Sequence, residues 1–230
     1  MVQVGDRRQQ RLRVPEMEGA VARWYARQRR SGSQIEEYRK QAAQLTDGLP
    51  SGAAVLEVAP GPGYLAIEMA RLGRFQVTGL DISHTFVEIA CENARQAAVS
   101  VDFRRGDAAS MPFAADSFDL ILCQAAFKNF AQPGRALDEM HRVLRGGGTA
   151  VIQDLRREAS VADIDLEVRR MALGRLNAFL TKWTLATMLR RRAYSRARFE
   201  RLAAESAFRT CDIRTEGIGM EVRLTKRGPA

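Results

Sequence analysis

The segment Ala54-Val55-Leu56-Glu57-Val58 runs directly into Ala59-Pro60-Gly61-Pro62-Gly63 and then into a helix-like stretch from Tyr64 to Leu72. A short, nearly uninterrupted apolar run ending in turn residues reads as a strand covered on both faces, the pattern of a parallel sheet. The alternation repeats: strand-like runs at Gln76–Leu80, Val101–Arg104, Phe118–Leu122 and Thr149–Gln153 are interleaved with helical patterns over Thr85–Ala97 and Arg135–Leu144. Parallel strands need crossovers, and right-handed crossovers put helices on both faces of the sheet. The spacing therefore predicts an α/β, doubly wound sheet. Two final strand-like pieces, Cys211–Thr215 and Glu221–Thr225, joined by Gly217-Ile218-Gly219, add an antiparallel hairpin and bring the expected, mostly parallel sheet to seven strands.

The flanks are helical. Ser33-x-x-Glu36 has the form of a capping box, followed by Ile35, Tyr38, Ala42 and Leu45 at helical spacing. After the fifth strand about forty residues carry no strand signal: Ser160-x-x-Asp163 resembles a helix start, with Ile164, Val168 and Met171 on one face. The stripe Leu176, Phe179, Leu180 and Trp183 is expected to be core of that insertion, and Ser195 to cap a helix holding Phe199, Leu202 and Ala203. At 230 residues, 46% of them hydrophobic, the chain suits one sizeable core. The expected organisation is an N-terminal basic arm over residues 1–32 and a single domain over 33–230, with a helical insertion at 155–194.

Charge is unevenly placed. Residues 1–40 carry 10 basic and 5 acidic side chains, 41–154 carry 9 and 13, 155–201 carry 12 and 5, and 202–230 carry 5 and 4. The overall +9 thus belongs to the arm and the insertion, while the sheet-forming middle is acidic. A basic excess invites a nucleic-acid or anionic-membrane partner, but no separate nucleic-acid module is visible. Three widely separated cysteines without CxxC spacing suggest neither a disulfide framework nor a metal site, and point to a reducing cytoplasm. No run of 18 apolar residues suggests a membrane span, and the arginines at the start are followed by no apolar leader.

The loop after the first strand lies where an open α/β sheet forms its ligand crevice. Gly61 and Gly63 let a ligand approach the main chain, and the following helix start offers free N–H groups. Asp81, eighteen residues beyond Gly63 at the end of the second strand, can accept both hydroxyls of a ribose. Gly61-x-Gly63-x-x-Ala66 with Asp81 would also fit a loose dinucleotide fingerprint.

Acidic Glu57 before the loop, a helix before the first strand, Gly106-Asp107-Ala108 after the third, Phe118-Asp119-Leu120 opening the fourth and His141 to Gly148 before the fifth together resemble the ordered motifs of class I S-adenosylmethionine-dependent methyltransferases. The resemblance covers residues 33–226. It implies a Rossmann-like methyltransferase fold with a helical lid, and S-adenosyl-L-methionine as cofactor with S-adenosyl-L-homocysteine as product. It further implies Glu57, Ala59, Gly61 and Gly63 as the cofactor loop, Asp81 as ribose ligand and Ile82 as adenine contact. Asp107 and Ala108 would meet the adenine edge, and Cys123 and Gln124 would lie near the methionine end. Ala59 and Gly146 depart from the usual glycine and proline.

The implied activity is in-line methyl displacement onto a small-molecule acceptor, which needs positioning and no metal. An acceptor hydroxyl or acidic carbon would need a base, and Gln124, Lys128 and Asp154 are the polar residues nearest the expected crevice. His84 and His141 read as structural. The alternatives are a non-catalytic or regulatory S-adenosylmethionine-binding domain, a nucleic-acid methyltransferase and a nicotinamide-dependent oxidoreductase. The acceptor, the base and the oligomeric state are not legible in the sequence.

Overall fold

A computed structural model of the chain describes residues 16–170, 179, 181–183 and 185–228. Seven strands form one sheet: β1 (Ala54–Val58), β2 (Gln76–Asp81), β3 (Asp102–Arg105), β4 (Phe118–Gln124), β5 (Leu144–Leu155), β6 (Asp212–Glu216) and β7 (Gly219–Thr225). Their order is β3-β2-β1-β4-β5-β7-β6. The first five run parallel, while β7 is antiparallel to both β5 and β6.

Alternation along the strands divides the core. On one side Val55, Leu120, Leu122 and Val151 pack with Leu65 and Met69; on the other Leu56, Ile121, Cys123 and Ile152 pack with Leu137, Met140 and Phe199. The first side is covered by α2 (Gly32–Leu45), α3 (Tyr64–Arg71) and α4 (His84–Gln96), the second by α5 (Pro133–Val143) and α7 (Arg196–Glu205). This two-sided covering is what the unbroken apolar strand runs anticipated.

Local signals mostly place the helices where they occur. Ser83 and Ser195 cap α4 and α7, accepting from Phe86 N at 3.1 Å and Arg198 N at 3.2 Å. Ser160 and Asp163 close a reciprocal box at the start of α6 (Val161–Arg170). At α2 the capping residue is Ser31 rather than Ser33, because the helix begins at Gly32. The stretch His141–Gly148, placed before the fifth strand by the sequence, instead supplies the end of α5 and an irregular start to β5. Phe118 pairs with Leu144 and Leu120 with Thr149, so the glycines take up the mismatch, and a side chain at Gly148 would lie 2.9 Å from the Asp119 carbonyl.

Residues 19–28 form a regular helix, α1 (Gly19–Gln28), packed on α4. In the insertion, Ile164 and Val168 of α6 pack with Leu185, but Phe179 and Trp183 are 66% and 54% exposed, so that stripe is not the buried core expected. Met171, Leu176 and Leu180 lie outside the described residues.

Candidate functional site

Strand order reverses between β1 and β4, and a cleft of about 1410 Å³ opens across the carboxyl ends of β1, β2, β4 and β5. Pockets for one small ligand occupy roughly 300–1,000 Å³, so this cleft has space for two side by side. It is bordered by the β1–α3 loop, the residues after β2 and β3, and the residues after β4. A helical wall comes from α1 and the residue that caps it, from α2 and from the insertion, through Tyr25, Arg29, Tyr38, Leu185 and Arg192.

The β1–α3 loop turns through three left-handed residues, Ala59 (φ +58°), Gly61 (φ +54°) and Gly63 (φ +78°). The two glycines serve different ends. A Cβ at Gly61 would meet nothing within 4 Å, so its backbone is open to a ligand; a Cβ at Gly63 would lie 2.6 Å from Phe103 and 2.9 Å from Ala90, so packing demands glycine there. Ala59 holds a backbone conformation that costs an L-residue roughly 1–2 kcal/mol, anchored by its N–H to the Leu80 carbonyl at 2.7 Å.

Asp81 is buried at the end of β2. One carboxylate oxygen accepts from Gly61 N at 3.0 Å and the other from Ser83 N at 2.9 Å, tying together the two loops that border the cleft. Burial pushes its pKa up, against the pull of those N–H groups. Glu57 is more extreme. It is fully buried, its Oε2 has no hydrogen-bond partner among the described residues, and burial, helped by the negative charge of Asp81, pushes its pKa to about 8. An unpartnered polar atom in a cleft wall is costly unless something fills the need.

Asp107 lines the cleft after β3, its Oδ1 accepting from Ala109 N at 2.8 Å. At the β4–β5 end, Gln124 Nε2 donates to Gln153 Oε1 at 2.6 Å and to Gln41 Oε1 at 3.2 Å, and Gln153 donates on to Glu221. Beside this amide chain lies a buried ion pair. Lys128 Nζ is 2.7 Å from Asp154 Oδ1 and also donates to the Ala125 carbonyl, while Asp154 Oδ2 accepts from Lys128 N at 2.9 Å. Both side chains border the cleft.

The N-terminal wall is held by Glu18. Its carboxylate accepts from His84 N at 2.8 Å, from Thr85 N at 3.0 Å and from the Thr85 hydroxyl, capping α4 from outside the helix, and the Thr85 hydroxyl above all lowers its pKa to about 2. Tyr64 Oη donates to the Ala26 carbonyl at 3.0 Å, tying α3 to α1. The Arg29 guanidinium sits 5.2 Å from the Tyr25 ring centroid at the cleft wall.

Of the residues singled out in the sequence, Glu57, Ala59, Gly61, Asp81, Ile82, Asp107, Ala108 and Gln124 line this one cleft, as do Lys128 and Asp154. Gly63 and Cys123 do not: Gly63 packs behind the loop, and Cys123 points into the core on the α5 side, where burial pushes its thiol pKa upward. His84 stands 3.7 Å from Glu88 and His141 packs on Phe208, neither in the cleft. Sequence reading missed Tyr25, Arg29 and Tyr38. The i, i+4 spacing of Tyr25 and Arg29 was the available signal, obscured because the arm was not resolved into a helix.

A mixed seven-stranded sheet in this order, with an antiparallel β7 and a cleft at the β1/β4 reversal, defines the Rossmann-like methyltransferase fold. A family model described as a methyltransferase domain matches residues 56–152. The chain is 33% identical over 159 residues to a demethylmenaquinone methyltransferase of Deinococcus radiodurans, an alignment covering 68% of this chain and 66% of that protein. It therefore spans slightly less than two thirds of that relative. A putative S-adenosyl-L-methionine-dependent methyltransferase of Methanococcus maripaludis superposes with a TM-score of 0.74 at 19% identity, covering 96% of this chain and 98% of the other. A [4+2]-cyclase matches at 30% identity with a TM-score of 0.52, over 57% of this chain and 50% of its own. In its fold, and in the sequence of the segment that these comparisons match, the chain is similar to class I S-adenosylmethionine-dependent methyltransferases.

Proposed function

We propose that the cleft binds S-adenosylmethionine and transfers its methyl group to a small aromatic acceptor of the hydroquinone type. The observation that carries the cofactor half is the pair of buried acids on adjacent strands. Asp81 is aimed by two backbone N–H groups for a nucleoside diol, and the unpartnered Oε2 of Glu57 suits an ammonium group. Arg29, Tyr25 and Tyr38 supply the cation and hydroxyls for a carboxylate on the helical wall. Ile82 and Ala108 give apolar contacts for a base, and Asp107 an acceptor for its amino group. The residues present therefore fit the group. When bound, it supplies an activated methyl and its own leaving group.

The chain's part is then to hold and ionise the acceptor. The Asp154 carboxylate at the cleft wall takes the proton that the acceptor hydroxyl loses, and the Lys128 ammonium paired with it stabilises the anion left behind. Gln124 and Gln153 offer neutral donors and acceptors for a second oxygen. The demethylmenaquinone methyltransferase relative supports this acceptor class. Free Cys91, Cys123 and Cys211 suit a reducing cytoplasm, and no helix among the described residues is long and apolar enough to cross a membrane.

Thermal shift with S-adenosylmethionine, S-adenosylhomocysteine and a nicotinamide dinucleotide tests the cofactor half: the first two stabilise, and a response to the dinucleotide alone overturns the reading. Methyl-labelled cofactor with a panel of reduced quinones, catechols and generic RNA tests the acceptor half, labelled quinol being the expected product. A second reading, that the pocket serves a reaction other than methyl transfer, is favoured by the likeness to a cyclase. It predicts tight cofactor binding with no labelled product from any acceptor.

A further inference from the structure

Eight large apolar side chains are exposed among the described residues, and their placement is not scattered. Met17 and Ile82 line the cleft. The other six, Val21, Trp24, Val161, Leu166, Phe179 and Trp183, all stand on α1 and the helical insertion, between 49% and 66% exposed. None of the six borders the cleft, yet the segments that carry them do, through Tyr25 and Arg29 on one side and Glu167, Leu185 and Arg192 on the other.

These same segments hold the surplus of positive charge. On α1, Val21 and Trp24 are one turn apart on the face opposite buried Ala22 and Ala26, flanked by exposed Arg23 and Arg27. In the insertion, Leu166 is followed one turn on by exposed Arg169. Phe179 and Trp183 are four positions apart in the sequence, and Lys182 between them is tied to Asp165 of α6 at 2.5 Å. Indole and phenyl rings beside arginines match a lipid–water interface, where the ring meets the acyl boundary and the guanidinium meets anionic headgroups. A nucleic-acid partner would account for the arginines and leave the valines and leucine unexplained.

We propose that α1 and the insertion form a surface that docks the protein on an anionic lipid membrane, with the cleft opening beside the docked face. Docking of this kind shortens the path of an apolar acceptor from bilayer to cleft. It rests on the exposed side chains and their charge, and stands apart from the cofactor assignment.

The chain contains two tryptophans, Trp24 and Trp183, both on the proposed surface, so intrinsic fluorescence reports on it directly. With the full chain and no cofactor, vesicles of phosphatidylcholine plus phosphatidylglycerol should shift the emission to the blue and co-sediment the protein. Phosphatidylcholine alone should do so weakly, and added salt should reverse the binding. Trp24→Gln with Trp183→Gln, read by sedimentation, and Arg23→Glu with Arg27→Glu, read by either method, should each lower the partition coefficient by about tenfold or more. Cofactor-induced thermal stabilisation should be unchanged in both, which shows that they fold. Absence of binding to anionic vesicles at low salt overturns the proposal. So does binding that survives both pairs of substitutions together, or burial of the tryptophans in a concentration-dependent dimer. Each of these results leaves the cofactor reading to its own thermal-shift test.

Discussion

The sheet-side wall of the cleft is acidic, buried and held by main-chain hydrogen bonds, whereas the helical wall carries charges of both signs, Glu16, Glu37 and Glu167 with Arg29 and Arg192, and is partly open to solvent. Glu57 and Asp81 stand on adjacent parallel strands whose register is set by the whole sheet. Arg29, Tyr25 and Glu167 stand on helices joined to the body by fewer contacts, such as Glu18 on the α4 start and Tyr64 on Ala26. On the reading proposed above, the sheet side supplies rigid contacts for the nucleoside and for the acceptor's oxygens, while the helical wall supplies the contacts to the cofactor's carboxylate from elements outside the core, where contacts are most easily changed.

The largest expected effect tests whether the β4–β5 end belongs to the rigid wall. Lys128→Ala strands the Asp154 carboxylate in a buried site and should cost about 3–5 kcal/mol in chemical denaturation. Lys128→Met with Asp154→Leu should recover most of that stability and none of the methyl transfer. Recovery of turnover would remove the pair from the mechanism.

Asp81→Ala should weaken S-adenosylmethionine binding by about 100-fold in calorimetry, from the loss of charge-assisted hydrogen bonds, and leave any vesicle binding intact. A loss of both would join the two walls into one functional unit.

Glu57 sharpens the comparison through pH. Its folded pKa of about 8 lies above the ordinary 4.5, so between those values the folded protein keeps a proton that the unfolded chain has lost. The stability it contributes is complete below pH 4.5 and is lost as pH rises through about 8. Thermal melts of Glu57→Gln should lack that decline. Cofactor binding at pH 7 should release approximately one proton as an ammonium settles against the carboxylate, measurable from the buffer dependence of the binding heat, and Glu57→Gln should release none.

Ala59→Gly should relieve the left-handed strain and stabilise the protein by about 1 kcal/mol, raising the melting temperature by roughly 2–4 °C. The smallest effect belongs to the helical wall. Glu18→Gln should loosen α1 without unfolding the sheet, seen as faster hydrogen exchange over residues 19–28. Because the Glu18 pKa is depressed to about 2, the wild-type arm should hold above pH 4.5 and release as pH falls toward 2.

Much of the sheet was legible because its signals are local. The apolar run Ala54–Val58, the caps at Ser160 and Ser195, and the turn at Gly217 each depend on a few neighbours along the chain. Where reading failed, the cause lay across the chain. Phe179 and Trp183 have helical spacing, which marks a shared face and is silent on whether another element covers it. Gly63 looked like Gly61 in a motif, and only the ring of Phe103 and the methyl of Ala90, both far along the chain, separate their roles.

The sequence by itself determined the seven strands, the acids at the ends of the first two and the segregation of charge, because periodicity, turn chemistry and composition act over short stretches. Tertiary structure decided that Tyr25 and Arg29 line one cleft together with Glu57 and Asp81. It also decided that Cys123 turns into the core while Gln124 reaches Gln41, and that Lys128 finds Asp154. Those pairings join residues 26 to 83 positions apart. Their geometry follows from strand order and helix packing, which no short window of sequence encodes.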